Sequence, residues 1–248
     1  MRVLLLLAAA AAVASSQTAE EIVRSTADTY QSLKTYRFEA QVVTEGAPES
    51  RVIRTVETRV VAAKLPDQRH LESQTNRGNI LRIYDGQTVW DFHSQPNQFS
   101  RADQATFRPR VTLVSDPVET YRILNKGAAQ AKLAREETIE VAGTQRSCWV
   151  VEMPFLFPNG DTMPGSPAIS YWLDKSTHLV LKELRPIRNV TITTTYTVAN
   201  INGPVTEELF RFPLPDGASE VAEFTSPIGP GQPLPNTPAP DFALSSPW

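Results

Sequence analysis

"LRIYDGQTVWDF", Leu81 to Phe92, holds two apolar-rich runs hinged on Asp85-Gly86. An Asp-Gly pair between alternating runs is a strong short-range signal for a hairpin. With a two-residue type I′ turn, Tyr84 faces Gln87, Ile83 faces Thr88 and Leu81 faces Trp90, and facing residues share a side of the sheet. One side then carries Leu81, Ile83, Thr88, Trp90 and Phe92, and the other Arg82, Tyr84, Gln87, Val89 and Asp91. The apolar side needs a cover, so the expectation is that it faces inward while Arg82 and Asp91 face solvent.

Similar runs fill the chain on both sides of this hairpin. Tyr36, Phe38, Ala40 and Val42 alternate with Arg37, Glu39 and Gln41, as a half-buried antiparallel strand requires. Further strands are expected near residues 51–63, 68–75, 79–84, 87–93, 98–102, 134–141, 145–153, 169–173, 178–185, 189–201 and 205–212. Helical signals are few. Thr18 and Glu21 form a capping box ahead of Ile22, Val23, Ala27, Tyr30 and Leu33 at helical spacing. Asp116-Pro117-Val118-Glu119 opens a second helix that runs through Tyr121 and Leu124 to Gly127. The segment from Pro154 to Pro167 holds Phe155, Leu156, Phe157 and Met163, too apolar for a purely solvated loop, and is expected to fold over something. The fold class that follows is mostly β: a curved antiparallel sheet forming a half-open barrel, with a few helices covering its concave face.

The two ends read differently from the middle. Arg2, the apolar run Val3 to Ala14 and the small residues Ala14-Ser15-Ser16 have the order of a cleaved secretory signal, residues 1–16. That run is too short to span a bilayer, no later stretch is expected to, and no Cys at the cleavage point offers a lipid anchor. An exported, periplasmic protein is expected. Residues 17–225 form the folded domain, and residues 226–248, with seven prolines from Pro227 onward, read as an extended tail. The tail's "TPAPDFALSSPW" resembles the opening strand of thioredoxin-like and peroxiredoxin domains, but stops before any Cys-x-x-Cys, so no redox activity is implied.

Composition and motifs narrow the function. Loss of Arg2 with the signal takes the formal charge from -3 to -4, which gives no basic field for nucleic acid. Cys148, the single cysteine, lies in a strand-like run and reads as a small packed hydrophobe. His70, His93 and His178 are far apart and read as surface or edge residues, so no metal or other cofactor is expected. Asp91, Asp174 and Glu183 are most simply solvated charges on the outer face. With no nucleophile elbow or phosphate loop, no enzyme is expected.

The order of features now matters: first helix, "LKTYRFEAQVV", "AAKLPDQRHLE", "LRIYDGQTVWDFHSQPNQFSR", "YWLDKSTHLVLKEL" and "LFRFPLPDGASEV". Over about residues 18–224 this resembles the LolA-like family of periplasmic outer-membrane lipoprotein carriers. The resemblance implies a half-open barrel whose apolar interior, lidded by helices, holds the acyl chains of a lipid or lipoprotein. Related stress sensors of this fold bind envelope proteins or lipids. The carriers have an arginine just before the proline matching Pro66, in contact with the lid; here Leu65 stands there, with Lys64 one residue earlier, so the fold is implied more securely than the cargo.

Tyr36, Phe38, Leu81, Ile83, Trp90 and Phe92 are therefore the candidate ligand-binding residues, facing one concavity. Plain core is the alternative for the same side chains, since both uses need large apolar groups turned inward. A carrier needs a continuous apolar cavity; a sensor that binds an envelope protein and transports nothing can fill its concavity with side chains.

Overall fold

In the computed structural model, residues 17–47, 52–108, 114–163, 165–222 and 224 are described. The expected signal and the proline-rich tail with its thioredoxin-like opening lie outside these residues.

Among the described residues twelve strands make one sheet: β1 (Thr35–Gly46), β2 (Ile53–Lys64), β3 (Gln68–Thr75), β4 (Gly78–Asp85), β5 (Thr88–His93), β6 (Gln98–Asp103), β7 (Lys132–Val141), β8 (Thr144–Met153), β9 (Ile169–Asp174), β10 (Val180–Ile187), β11 (Val190–Ile201) and β12 (Ser219–Glu220). Their order is β12-β6-β5-β4-β3-β2-β1-β11-β10-β9-β8-β7, antiparallel throughout except where β12 joins β6. The sheet curves without closing into a barrel, and helices lie in its concavity. Most neighbours in space are neighbours in sequence. The exceptions are the parallel pair of β6 with β12 and the seam between β1 and β11, where Tyr36 meets Ile201.

Helix α1 (Ala19–Gln31) begins with the expected box, Thr18 and Glu21 each bonding the other's backbone N–H. Its face Ile22, Val23, Ala27 and Tyr30 is buried against the sheet. Helix α2 (Pro117–Tyr121) is shorter than its sequence pattern implies, and a 3-10 segment, Leu124–Gln130, takes over. Asp116 caps α2, accepting from the N–H of Val118 at 2.9 Å. Leu156 packs the apolar loop here: a Cβ on Gly127 would come within 2.9 Å of both its methyl carbons and push that side chain aside.

The 205–212 stretch is not a strand. It crosses the convex face as an extended strap with a 3-10 turn at Glu207–Phe210. Phe210 and Phe212 alternate because both turn toward the sheet, which mimics strand periodicity without any ladder. The opening hairpin also differs from expectation. Tyr84 pairs with Val89, Ile83 with Trp90, Arg82 with Asp91 and Leu81 with Phe92, two residues away from a type I′ register. Asp85 causes the shift: its carboxylate accepts from the N–H groups of Gln87 and Thr88 and from Trp90 Nε1, at 2.7–2.9 Å, and so organises a longer loop. A shift of two leaves the sides unchanged.

Which side faces inward is the larger correction. Arg82, Tyr84, Val89 and Asp91 share the face of Phe38 and Val61, which the registers carry across from β1 to β5. Leu81, Ile83, Trp90 and Phe92 are on the convex face, where with Phe99 they form a second core under Phe212 and Ala218. The sheet is covered on both sides at this end, by Phe107 against Tyr84 and Arg82 on one and by the strap on the other, so an apolar side did not have to be the concave one.

Candidate functional site

The concave face is best read as rows across the four central strands, β2-β1-β11-β10. At the helix-covered end stand Ala63 and Tyr36, then Val61, Phe38 and Ala199. This end is filled. Tyr30 lies 6.0 Å from Phe38 and 5.2 Å from Tyr121 between ring centroids, and all three are buried. Tyr36 and Phe38 thus take their expected place in the interior, as packed core.

The next rows change character. Arg59, Ala40 and Tyr196 form one; Glu57, Val42, Thr194 and Glu183 form the next, and Ile192 beside Arg185 follows. Beyond them come Ile53, Gly46, Val190 and Ile187, a partly exposed aliphatic floor, with Ile187 39 % exposed. A cavity of about 140 Å³ sits over the middle rows, with Phe38, Val61 and Ile192 below it and Pro117, Thr120 and Tyr121 of α2 above.

Charge is concentrated around that cavity. Arg59 Nε donates to Glu57 at 2.5 Å and Ser73 Oγ donates to the same carboxylate at 2.7 Å. On the opposite wall Arg185 contacts Glu183 at 2.7 Å, with the Phe155 ring 5.4 Å from its guanidinium carbon. Tyr121 donates to Glu183 at 2.8 Å, so its contact with Tyr196 at 3.0 Å has Tyr196 as donor. Burial first, and the Glu183 charge after it, push the Tyr121 phenol well above its ordinary range, so it stays a neutral donor.

A latch joins α2 to the sheet. Tyr36 donates to Asp116 at 2.6 Å, and Arg69 of β3 lies 3.8 Å from Asp116 and 3.4 Å from Glu119. Burial pushes the Asp116 carboxyl up, against the Tyr36 and Val118 donors that pull it down. Lys64 serves elsewhere, pairing with Glu207 of the strap and facing the Phe210 ring at 5.5 Å.

Other residues singled out in the sequence also need relocation. Asp91, Asp174 and Glu183 are all buried, each with its own partner: Arg82, Arg146 and Arg185. Burial would raise Asp174, but Arg146, Ser176 and Thr177 donate to it and hold it far below the carboxylate range. His70 and His93 are buried, not surface residues. Cys148 is fully buried on the convex side with Val150, Trp172 and Leu181, and burial raises its thiol to about 11, as an inert packing residue requires. Among the described residues no group of three or more His, Cys, Asp or Glu is placed to hold a metal.

Sequence reasoning missed Glu57, Arg59, Glu183 and Arg185. Their only signal is opposite charge two residues apart on a strand, and Arg37 with Glu39 or Arg135 with Glu137 show the same spacing at less buried positions. Nothing in the spacing separates a buried pair from a solvated one.

Residues 19–115 match the family described as "Predicted periplasmic protein (DUF2092)". No curated protein matches significantly. Solved structures similar to the chain include an uncharacterized conserved protein from Thermus thermophilus, 15% identical, covering 83% of this chain and 99% of its own, with a TM-score of 0.45. LprF from Mycobacterium bovis is 10% identical over 76% of this chain and 94% of its own, TM-score 0.47. A LolA superfamily protein from Nitrosomonas europaea is 13% identical over 79% of this chain and 99% of its own, TM-score 0.32.

Proposed function

We propose that this is an exported envelope protein that binds an amphiphile, an acyl-bearing lipid or a lipidated protein, in the open half of its trough. The periplasmic description of the family matched by residues 19–115 supports the location. Among the described residues no helix is long and apolar enough to cross a membrane. The role is binding and carriage, not catalysis.

One observation carries the reading: the central strands run past the helices, and the face they extend is aliphatic at Ile53, Val190, Ile192 and Ile187. A small-molecule pocket usually measures about 300–1,000 Å³, and the cavity under α2 has about 140 Å³. The cavity is too small to hold an acyl chain, which therefore lies on the outer aliphatic floor. A second reading, an interaction module that binds an envelope protein and carries nothing, is favoured by the packed aromatic end at Tyr30, Phe38 and Tyr121.

Native mass spectrometry of the exported protein tests the choice. The amphiphile reading expects an adduct with the mass of a lipid or acylated peptide, and a hydrophobic dye that such a ligand displaces. A protein that carries no adduct and binds neither dye nor lipid turns the assignment to the second reading.

A further inference from the structure

The amphiphile reading leaves four charges in the trough to be accounted for. Replacing buried or half-buried ion pairs by packed apolar residues is often neutral or stabilising, so Glu57, Arg59, Glu183 and Arg185 are poor choices if the trough had only to hold itself together. Arg59, Glu183 and Arg185 line one cavity, and Glu57 is paired with Arg59 at its edge. The arginine side chains are 26% and 30% exposed, so solvent reaches them there.

We propose that this belt is the subsite for the anionic head of the amphiphile, a carboxylate or a phosphate ester, with the acyl chain running outward over Ile192, Val190 and Ile53. The inference rests on the amphiphile reading. Size supports it: a cavity near 150 Å³ accepts a benzene-sized group, which makes the roughly 140 Å³ under α2 right for a head and too small for a chain. Donor chemistry supports it as well. A guanidinium has five N–H donors in a planar fork suited to carboxylate and phosphate, and Arg59 gives two groups, Nε and Nη2, to Glu57. Ser115 and Thr194 line the same space. Glu57 and Glu183 hold the two arginines in place and compete with the incoming anion for them.

Competition is the basis of the test. The mature protein is loaded with a hydrophobic fluorescent dye and titrated with palmitate, hexadecyl phosphate or hexadecanol, which share chain length and differ in the head. The expected result is that at least one anion displaces dye about tenfold better than hexadecanol, the size of one charge-assisted hydrogen bond; the stronger anion identifies the head. In R59Q/R185Q, checked for folding by circular dichroism, that preference falls to about unity while hexadecanol still binds. In E57Q/E183Q the anions bind several-fold tighter, a gain that misfolding does not mimic. Equal displacement by all three ligands, or an anion preference that survives R59Q/R185Q, overturns the subsite and leaves amphiphile binding standing. Failure of all three to displace dye overturns the amphiphile reading itself.

Discussion

Arg82 and Asp91 form a bidentate ion pair across β4 and β5, Nε to Oδ1 at 2.5 Å and Nη2 to Oδ2 at 2.8 Å, buried on the concave face beneath the Phe107 ring. Removing one partner strands the other charge away from water. Asp91→Ala is expected to cost about 3–5 kcal/mol, and the double change Arg82→Met with Asp91→Leu much less, because neither charge is then left alone. Urea unfolding of the three proteins decides it; equal costs for single and double variants would contradict a buried pair.

Trp90 stacks on Phe212 with ring centroids 5.0 Å apart and planes 4° from parallel. Phe212→Ala opens the convex core and is expected to lower stability by about 2–3 kcal/mol, somewhat below the range for a fully buried Phe since Phe212 is only partly covered. Dye binding in the trough is expected to stay as it was, because the sheet lies between. A parallel loss of binding and of Trp90 stacking would place the ligand on the convex side.

The latch on α2 is open to a local test. Tyr36→Phe deletes the phenol proton that Asp116 accepts and is expected to cost about 1–3 kcal/mol, as for a buried acceptor left short of a donor. Arg69 is itself partly exposed and lies 3.8 Å from buried Asp116 and 3.4 Å from the more exposed Glu119, long contacts for ion pairs, so Arg69→Ala is expected to cost about 1 kcal/mol or less. Hydrogen exchange is the discriminating readout: amides of Val118 to Arg122 lose protection in both variants while the β1 and β11 amides keep theirs.

His93 sets a pH dependence. Burial lowers its pKa below the ordinary value, so the folded state binds the proton less well than the unfolded chain. The stability this contributes is present above the unfolded pKa of about 6.5 and is lost as pH falls through the folded value. Unfolding free energy is therefore expected to decline from pH 7 toward pH 5, and His93→Phe, which keeps a ring against Phe224 at 3.9 Å in the wild type, flattens that part of the curve. An unchanged slope in the variant would assign the decline to other groups.

Local chemistry was legible where neighbours in sequence complete it. The Thr18–Glu21 box and the Asp116 cap depend on three or four residues each, and both formed. The two sides of the Leu81–Phe92 hairpin were also readable, since alternation fixes them under any even shift of register. Their assignment to inside and outside was not, because the strap that covers Trp90 and Phe92 comes from Phe212, more than a hundred residues later. The belt of Glu57, Arg59, Glu183 and Arg185 stayed hidden for the same reason: burial of a charge is decided by which elements close over it, and the sequence shows only the pair.

The seam between β1 and β11 also sets the order in which the chain can complete itself. β1 pairs with β2, the next strand in sequence, but its other edge waits for residues 190–201. Loop closure over such a separation is entropically costly and slow beside local hairpin formation. A chain made from its N-terminus can therefore build the β1-to-β6 meander while the Phe38 side of β1 and its open backbone edge are still uncovered. During that interval only half of the aliphatic floor exists, and substitutions in β11 are expected to lengthen that wait without disturbing the first half of the sheet.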